Sequence, residues 1–370
     1  MSAKSLAHAM RDVSLRGPND LNTWTRLVGR ADMIAHSFNP KQAALVVHSL
    51  GKVFEKKTFS QTDFIQSFIS RFNRKFLPEI VPHTTALDAA QIIHGLSVLE
   101  KTNKRLIESL PVLMNRVSSL APHMDMKSVS MCAAGLSNDK IVVPNQIRTN
   151  CIVALSQRFL QLEDVNEQSF AQIMRACSTL GPDEEIRKLV DEICVKCIMM
   201  FQTMSVRSLS VALNSLGKMG NCTRPIVNEI LMIVSERVLR GESSFSSGAS
   251  LLQLAVILRS LQKLGINDVS PLVDHALVKY IRTRDLETLS AHTVCVLLSA
   301  LSHVPDTGEI VMAVIDGSLN KGLRFSPNEI LIVTNALKRT GVDPDYIHGE
   351  AYNLKGEKRD ANVGLRESSM

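Results

Sequence analysis

Eight times along this chain the same helix-forming pattern returns, at spacings of 36 to 46 residues that average 41. The copies align on Leu50, Leu96, Leu136, Cys177, Leu216, Leu261, Leu301 and Leu337. Directly before each of these anchors sits a small residue: Ser49, Gly95, Gly135, Ala176, Ser215, Ser260, Ala300 or Ala336. Eleven residues before each sits a helix N-cap type: Asn39, Thr85, Asp125, Asn166, Ser205, Ser250, Ser290 or Ser326. A unit of this length cannot bury an apolar face alone and has to stack on its neighbours. The chain therefore reads as all-α, an α-solenoid of about eight helix-turn-helix repeats.

Positions −7, −4, −3 and 0 from each anchor form the stripe of an amphipathic helix. In the fifth repeat they are Leu209, Ala212, Leu213 and Leu216, and in the sixth Leu254, Ile257, Leu258 and Leu261. Only Thr334, in the eighth, breaks the apolar rule. The cap residue sets the start, because its side-chain oxygen accepts an orphan N–H of the first turn. Pro40 and Pro327 follow their caps at the one helical position where proline costs nothing. Gly181, Gly220, Gly265 and Gly341, four past their anchors, suit a left-handed C-terminal cap. A second helix, more variable in length, is predicted over 63–76, 104–120, 145–160, 184–201, 225–239 and 271–281. The chain thus divides into N-terminal capping helices (1–38), the solenoid (39–341), and a cap remnant with a polar tail (342–370). The first twenty residues lack the apolar run of a secretory signal and fit either an ordinary capping helix or, being basic and serine-bearing, part of a transit peptide. The tail has the composition of a disordered segment.

Apolar residues make up 45% of the chain and aromatics 4%, so the core is filled by aliphatic side chains. No apolar run reaches the ~18–20 residues a bilayer crossing needs, and no membrane partner is expected. The seven cysteines lack a framework-like spacing, and Cys132, Cys177, Cys194 and Cys295 fall inside apolar helical runs. A reducing compartment follows from that usage.

Positions −9, −2 and +2 fall on the opposite side of the first helix from the stripe. Of these 24 positions nine are Lys or Arg: Lys41, Lys52, Lys127, Arg175, Arg207, Lys218, Arg259, Lys263 and Arg339. None is Asp or Glu, although the chain carries 36 acids against 42 bases. Nine more are His48, His94, Asn138, Gln168, Asn214, His292, His303, Asn328 and Asn335. An ordinary solvated face carries both signs. A basic, amide-bearing face repeated once per module suits a phosphate backbone and the edges of unstacked bases. Single-stranded RNA is the expected partner, and a groove for an acidic protein segment, or a plain solvated face, is the alternative.

The recurring pattern of cap, nine residues, small residue, Leu and Gly is clearest in "SVRSLSVALNSLGKMG" (205–220) and "SLLQLAVILRSLQKLG" (250–265). It resembles the organellar helical-repeat families: the octotricopeptide and heptatricopeptide repeats, and the repeat region of FAST-kinase-like and RAP-domain proteins. The resemblance spans roughly residues 39–341. It implies a mitochondrial protein, or a plastid one, acting on organellar transcripts or within a ribosome-like assembly with other proteins. The repeats here are longer and less regular than the consensus of those families. No RAP-like α/β segment follows Gly341, so the nuclease-like activity of that domain is not carried over.

Signals for catalysis are few. Cys194 and Cys197 form a lone CxxC within a helical run, where core packing is the better reading than metal or redox chemistry. The histidines and glycines make no HExxH, P-loop or dinucleotide motif. Asp183, Glu184 and Glu185 open a helix, where negative charge favours the dipole. No enzyme activity, cofactor, metal or small-molecule substrate is expected. Two function classes follow: single-stranded RNA binding along the first-helix face, and a protein scaffold or assembly subunit of a large complex.

Overall fold

Each of the eight cap residues accepts a hydrogen bond from the backbone N–H three residues on, at distances from 2.8 Å (Asp125) to 3.4 Å (Ser326). The side chains of Gln42, Asp88, Ser169, Gln253 and Glu329 return the bond to the cap's own N–H. These reciprocal boxes satisfy two orphan donors at once and fix the first residue of the helix. The computed structural model describes residues 1–16, 20–55, 63–100, 109–138, 143–181, 183–219, 224–239, 250–265, 273, 289–319 and 322–343. Among them the regular structure is helical throughout.

In chain order the helices are α1 (Ala3–Arg16), α2 (Leu21–Met33), α3 (Pro40–Glu55), α4 (Asp63–Arg71), α5 (Leu77–Ile80), α6 (Ala86–Glu100), α7 (Leu110–Leu120), α8 (Met126–Leu136) and α9 (Asn145–Gln161). They continue as α10 (Glu167–Cys177), α11 (Glu184–Lys196), α12 (Val206–Met219), α13 (Arg224–Leu239), α14 (Leu251–Lys263), α15 (Ala291–Leu301), α16 (Gly308–Leu319) and α17 (Pro327–Arg339). The chain forms two compact units, Met1–Ile198 with Asn221–Ile226, and Met199–Gly220 with Val227–Met370. In the first, α1, α3, α6, α8 and α10 stack in series, while α2 packs on α4 and α7, α9 and α11 form a second layer. In the second, α12, α14, α15 and α17 stack in series and α16 packs on α15. This is the all-α helical-repeat solenoid architecture, with first helices on first helices.

The apolar stripe is the core. Ala43, Val46, Ala89, Ile92, Phe170, Ile173, Leu209, Leu213, Leu254, Leu258, Leu297 and Leu301 are wholly withdrawn from water. Ile330 and Thr334, in the eighth repeat, are half-buried. The small residue at −1 sets how closely neighbours approach. A Cβ on Gly95 would lie 2.6 Å from the Val47 carbonyl oxygen and 3.0 Å from the His48 Cα, so α6 touches the backbone of α3 there. Gly135 meets Ile93 and His94 in the same register, at 3.1 Å and 3.3 Å. Three glycines past their anchors take left-handed backbone, Gly181 (φ +80°), Gly265 (φ +87°) and Gly341 (φ +74°). They end their helices as C-caps do.

The second helices depart from the predicted spans. The 63–76 segment stops as an α-helix at Arg71 and opens into a π turn, Phe72–Phe76, before α5. The wider turn seats Phe72 between Phe68 and Phe76 and edge-on to Phe38, with ring centroids 5.6–6.1 Å apart. The 184–201 segment stops at Lys196, where the Cys197 N–H is shared between the Ile193 and Cys194 carbonyls and the chain tightens to a 3-10 turn, Ile198–Gln202. Within 104–120 the described helix is α7; 101–108, Gly220, Cys222, 271–281 apart from Val273, and the tail from 344 lie outside the described residues. No helix among the described residues is long and apolar enough to cross a membrane.

Candidate nucleic-acid interface

Positions −9, −2 and +2 differ by seven and four residues, which keeps them within about 40° of arc and about 17 Å along one helix. The capped starts and anchored stripes therefore hold them on the side away from the core. Lys41, Lys127, Gln168, Arg175, Arg207, Lys218, Arg259, Lys263, His292, His303, Asn328, Asn335 and Arg339 are exposed, and Asn214 is half-buried. Among the described residues the ion pairs are Arg11–Asp12, Arg71–Asp32 and Lys188–Glu184, so none of the nine cations of this face has a carboxylate partner there.

In the first unit the face is partly closed. His48, Lys52 and His94 are half-buried, and Val98 and Asn138 are buried. The cause is the glycine contact: α3 and α6 approach so closely at Gly51 and Gly95 that the His48 and His94 rings meet, 5.4 Å between centroids. His48 Nδ1 is shut from solvent with no hydrogen-bond partner among the described residues. Burial, with the charges of His94, Lys52 and Lys127 beside it, pushes the His48 pKa down to about 4. A neutral His48 imidazole thus sits against the His94 ring with lysines beside it, able to offer a ring face and a single donor or acceptor.

Asn138 corrects the sequence reading. α8 ends at Leu136, so Asn138 is no longer on a helix; its amide donates to the Ser97 carbonyl at 3.0 Å and its own carbonyl accepts from Arg148 at 2.6 Å. It is a structural residue that joins repeats.

In the second unit the face is more exposed: Arg207, Arg259, His292, Asn328 and Asn335 are open to solvent, and of the candidate site residues there Asn214 alone is half-buried. The +2 column there runs Lys218, Lys263, His303, Arg339. The Arg339 guanidinium donates to His303 Nε2 at 2.8 Å, while His303 Nδ1 donates to the Ser299 carbonyl at 2.9 Å. That pair of bonds selects the Nδ1-protonated tautomer and steadies the arginine.

Two features escaped the sequence pattern. The first is that α1 is itself a first helix. Ser2, eleven before Val13, accepts from the Ser5 N–H at 3.3 Å, and Leu6 and Met10 are buried where stripe residues belong. Lys4 and Arg11 then occupy −9 and −2 and are exposed, extending the basic face by one module. The signal was present, but Asp12 stands where the other copies have a small residue. The second is a cation on the second helices, 19 to 22 residues past the anchor. Arg116 donates to the Thr84 carbonyl (2.9 Å), Arg158 to Met124 (2.8 Å), Lys196 to Leu160 and Leu162 (2.7 Å each), and Arg237 to Phe201 (2.8 Å) and Met204 (3.0 Å). These bases hold the chain just before a first helix and belong to the scaffold.

Six cysteines, Cys132, Cys151, Cys177, Cys194, Cys197 and Cys295, are free and buried. Burial pushes the thiols of Cys151 and Cys197 up to about 12, and those of Cys177 and Cys295 to about 11. Among the described residues no group of three His, Cys, Asp or Glu side chains could hold a metal ion.

The fold and face define a helical-repeat protein with a basic polar surface on its first helices. No protein-family model and no curated protein matches the chain. Among solved structures it is similar to yeast Rmd9p in complex with a 16-nucleotide target RNA, at 10% sequence identity and a TM-score of 0.42, covering 94% of this chain and 79% of that one. A likeness of that size carries neither fold nor function here, and both rest on the packing and the face described above.

Proposed function

We propose that the protein binds single-stranded RNA, without catalysis, along the first-helix face. The observation that carries this reading is the one-signed charge: nine Lys or Arg and no acid across 24 positions, with no carboxylate pairing among the described residues. Neutralising phosphates releases counterions and dominates nucleic-acid affinity. The polar groups between the cations, His48, His94, Gln168, Asn214, His292, Asn328 and Asn335, have the donors and acceptors that unstacked bases need. Duplex RNA fits less well, since its deep major groove hides base edges from side chains. A place in organellar RNA metabolism or translation, in the mitochondrion, follows from the resemblance of the repeats alone.

The test is binding of a mixed single-stranded RNA pool across a salt series, comparing the wild type with a variant carrying Arg207→Glu, Lys218→Glu, Arg259→Glu and Lys263→Glu. Salt-sensitive binding by the wild type and its loss in a variant of unchanged helical content is the expected result. Equal binding by both proteins, or none by either, contradicts the reading and turns attention to a protein partner.

A further inference from the structure

Three cations converge in the second unit. Arg259 and Lys263 lie one turn apart on α14, and Lys218 lies at the end of α12, against which α14 packs. The Lys263 stem runs along Gly217: a Cβ there would sit at ordinary contact distance, 3.5 Å from the Lys263 Cβ and 3.6 Å from its Cδ. That course carries the Lys263 ammonium toward Lys218. Partial withdrawal from water, then the charges of Arg259 and Lys218, hold its pKa below the ordinary lysine value.

Nothing in the fold calls for this arrangement. Like charges at i, i+4 weaken a helix by a few tenths of a kcal/mol, and no described carboxylate forms an ion pair with any of the three. The basic residues that serve the scaffold, such as Arg237, direct their donors at carbonyls. Arg339 is tied to His303. Among the described residues Lys218, Arg259 and Lys263 make no such bonds, although all three are exposed on one side of two adjoining helices. A local rule broken with no compensation among the described residues is the mark of a group that waits for a ligand.

We infer that Lys218, Arg259 and Lys263 form a preformed phosphate subsite, the sequence-independent anchor of the bound strand. The inference rests on the RNA reading for its natural ligand, but the chemistry it names is that of a phosphate group as such. Arg259 supplies a planar fork for two phosphate oxygens, and the two ammonium groups close on the remainder. The ligand's negative charge relieves the mutual repulsion of the three, so binding also stabilises the fold. An internal phosphodiester, a terminal phosphate and a free polyphosphate all present this chemistry.

The experiment compares wild type, a subsite variant (Lys218→Ser, Arg259→Gln, Lys263→Ser) and a variant of equal charge change in the first unit (Lys41→Ser, Lys127→Ser, Arg175→Gln). Each is titrated with 5′-hydroxyl and 5′-phosphorylated oligouridine over a salt series, and melted with and without tripolyphosphate. For the subsite variant, the slope of log K against log salt should fall by about 0.7, the share of the one phosphate no longer neutralised. The first-unit variant, whose three cations stand on three separate helices, should lose up to about 2, one such share for each phosphate. Tripolyphosphate should raise the Tm of the wild type and the first-unit variant and leave the subsite variant unmoved. A preference for the 5′-phosphorylated strand, present only with the subsite intact, would assign it to a chain end; no preference assigns it to the backbone. Equal slope changes in both variants, with equal responses to tripolyphosphate, overturn the subsite while the RNA reading stands. A tripolyphosphate response confined to proteins with the subsite, without oligonucleotide binding, keeps the subsite and removes RNA as its ligand.

Discussion

Gly95 carries the tightest contact in the first unit, and its behaviour on substitution follows from geometry. In an exposed helix Gly→Ala gains up to about 1 kcal/mol, but here the added methyl would meet the Val47 carbonyl at 2.6 Å. Gly95→Ala should therefore lower stability by about 1–3 kcal/mol, as overpacking does, and a denaturant titration reads the change. The same contact is what buries His48. Its folded pKa, about 4, lies below the ordinary 6.5, so the unfolded chain binds the proton first. The sign is then fixed: the stability held above pH 6.5 is lost as pH falls toward 4. Replacing His48 by Gln should remove that part of the pH dependence of Tm, while identical profiles for both proteins would show that His48 is not held neutral. The buried thiols make a further expectation. The six described cysteines should resist alkylation at neutral pH in the native protein and react once it unfolds, as the thiolate is the reactive form.

At the scale of single elements, the first helices were legible because two signals at their ends agree with one along their length. The cap at −11, the stripe and the left-handed glycine each report the same helix, and all eight caps hold in the structure. The second helices were less legible because their limits are set by neighbours. A π turn around Phe72 and a 3-10 turn after Lys196 answer to packing that local sequence does not encode. α1 was missed for one residue, Asp12. The second-helix cations were missed because their partners are backbone carbonyls, which have no sequence signature. Arg237 is the clearest of these, only 4% exposed and bonded to two carbonyls. Arg237→Met should cost about 2–3 kcal/mol, since bonds from a charged donor are worth about 1.5–3 and the carbonyls are left without a partner. Ser250→Ala should cost about 1 kcal/mol through removal of the cap. Both should leave RNA affinity unchanged at temperatures where the variants remain folded, because neither side chain is on the basic face.

For the molecule as a whole, the face was legible as a pattern of charge but not as a surface of even exposure. Sequence periodicity places His48, Lys52, His94 and Asn138 with the rest. The glycine contacts between α3, α6 and α8 explain why the first unit half-covers His48, Lys52 and His94, and the end of α8 at Leu136 explains why Asn138 is buried. Exposed cations stand in both units, Lys41, Lys127 and Arg175 in the first and Arg207, Lys218, Arg259, Lys263 and Arg339 in the second, while the half-buried His48, Lys52 and His94 belong to the first. If all nine cations met phosphates, the salt slope for a single strand would be about −6, so a steeper slope would require contacts beyond this face. Ultraviolet crosslinking of bound single-stranded RNA, with the attached peptides identified by mass spectrometry, tests the central claim most directly. Crosslinks concentrated in α10, α12, α14, α15 and α17, with few in α9, α11, α13 and α16, are the predicted result; crosslinks concentrated on the second helices would contradict it.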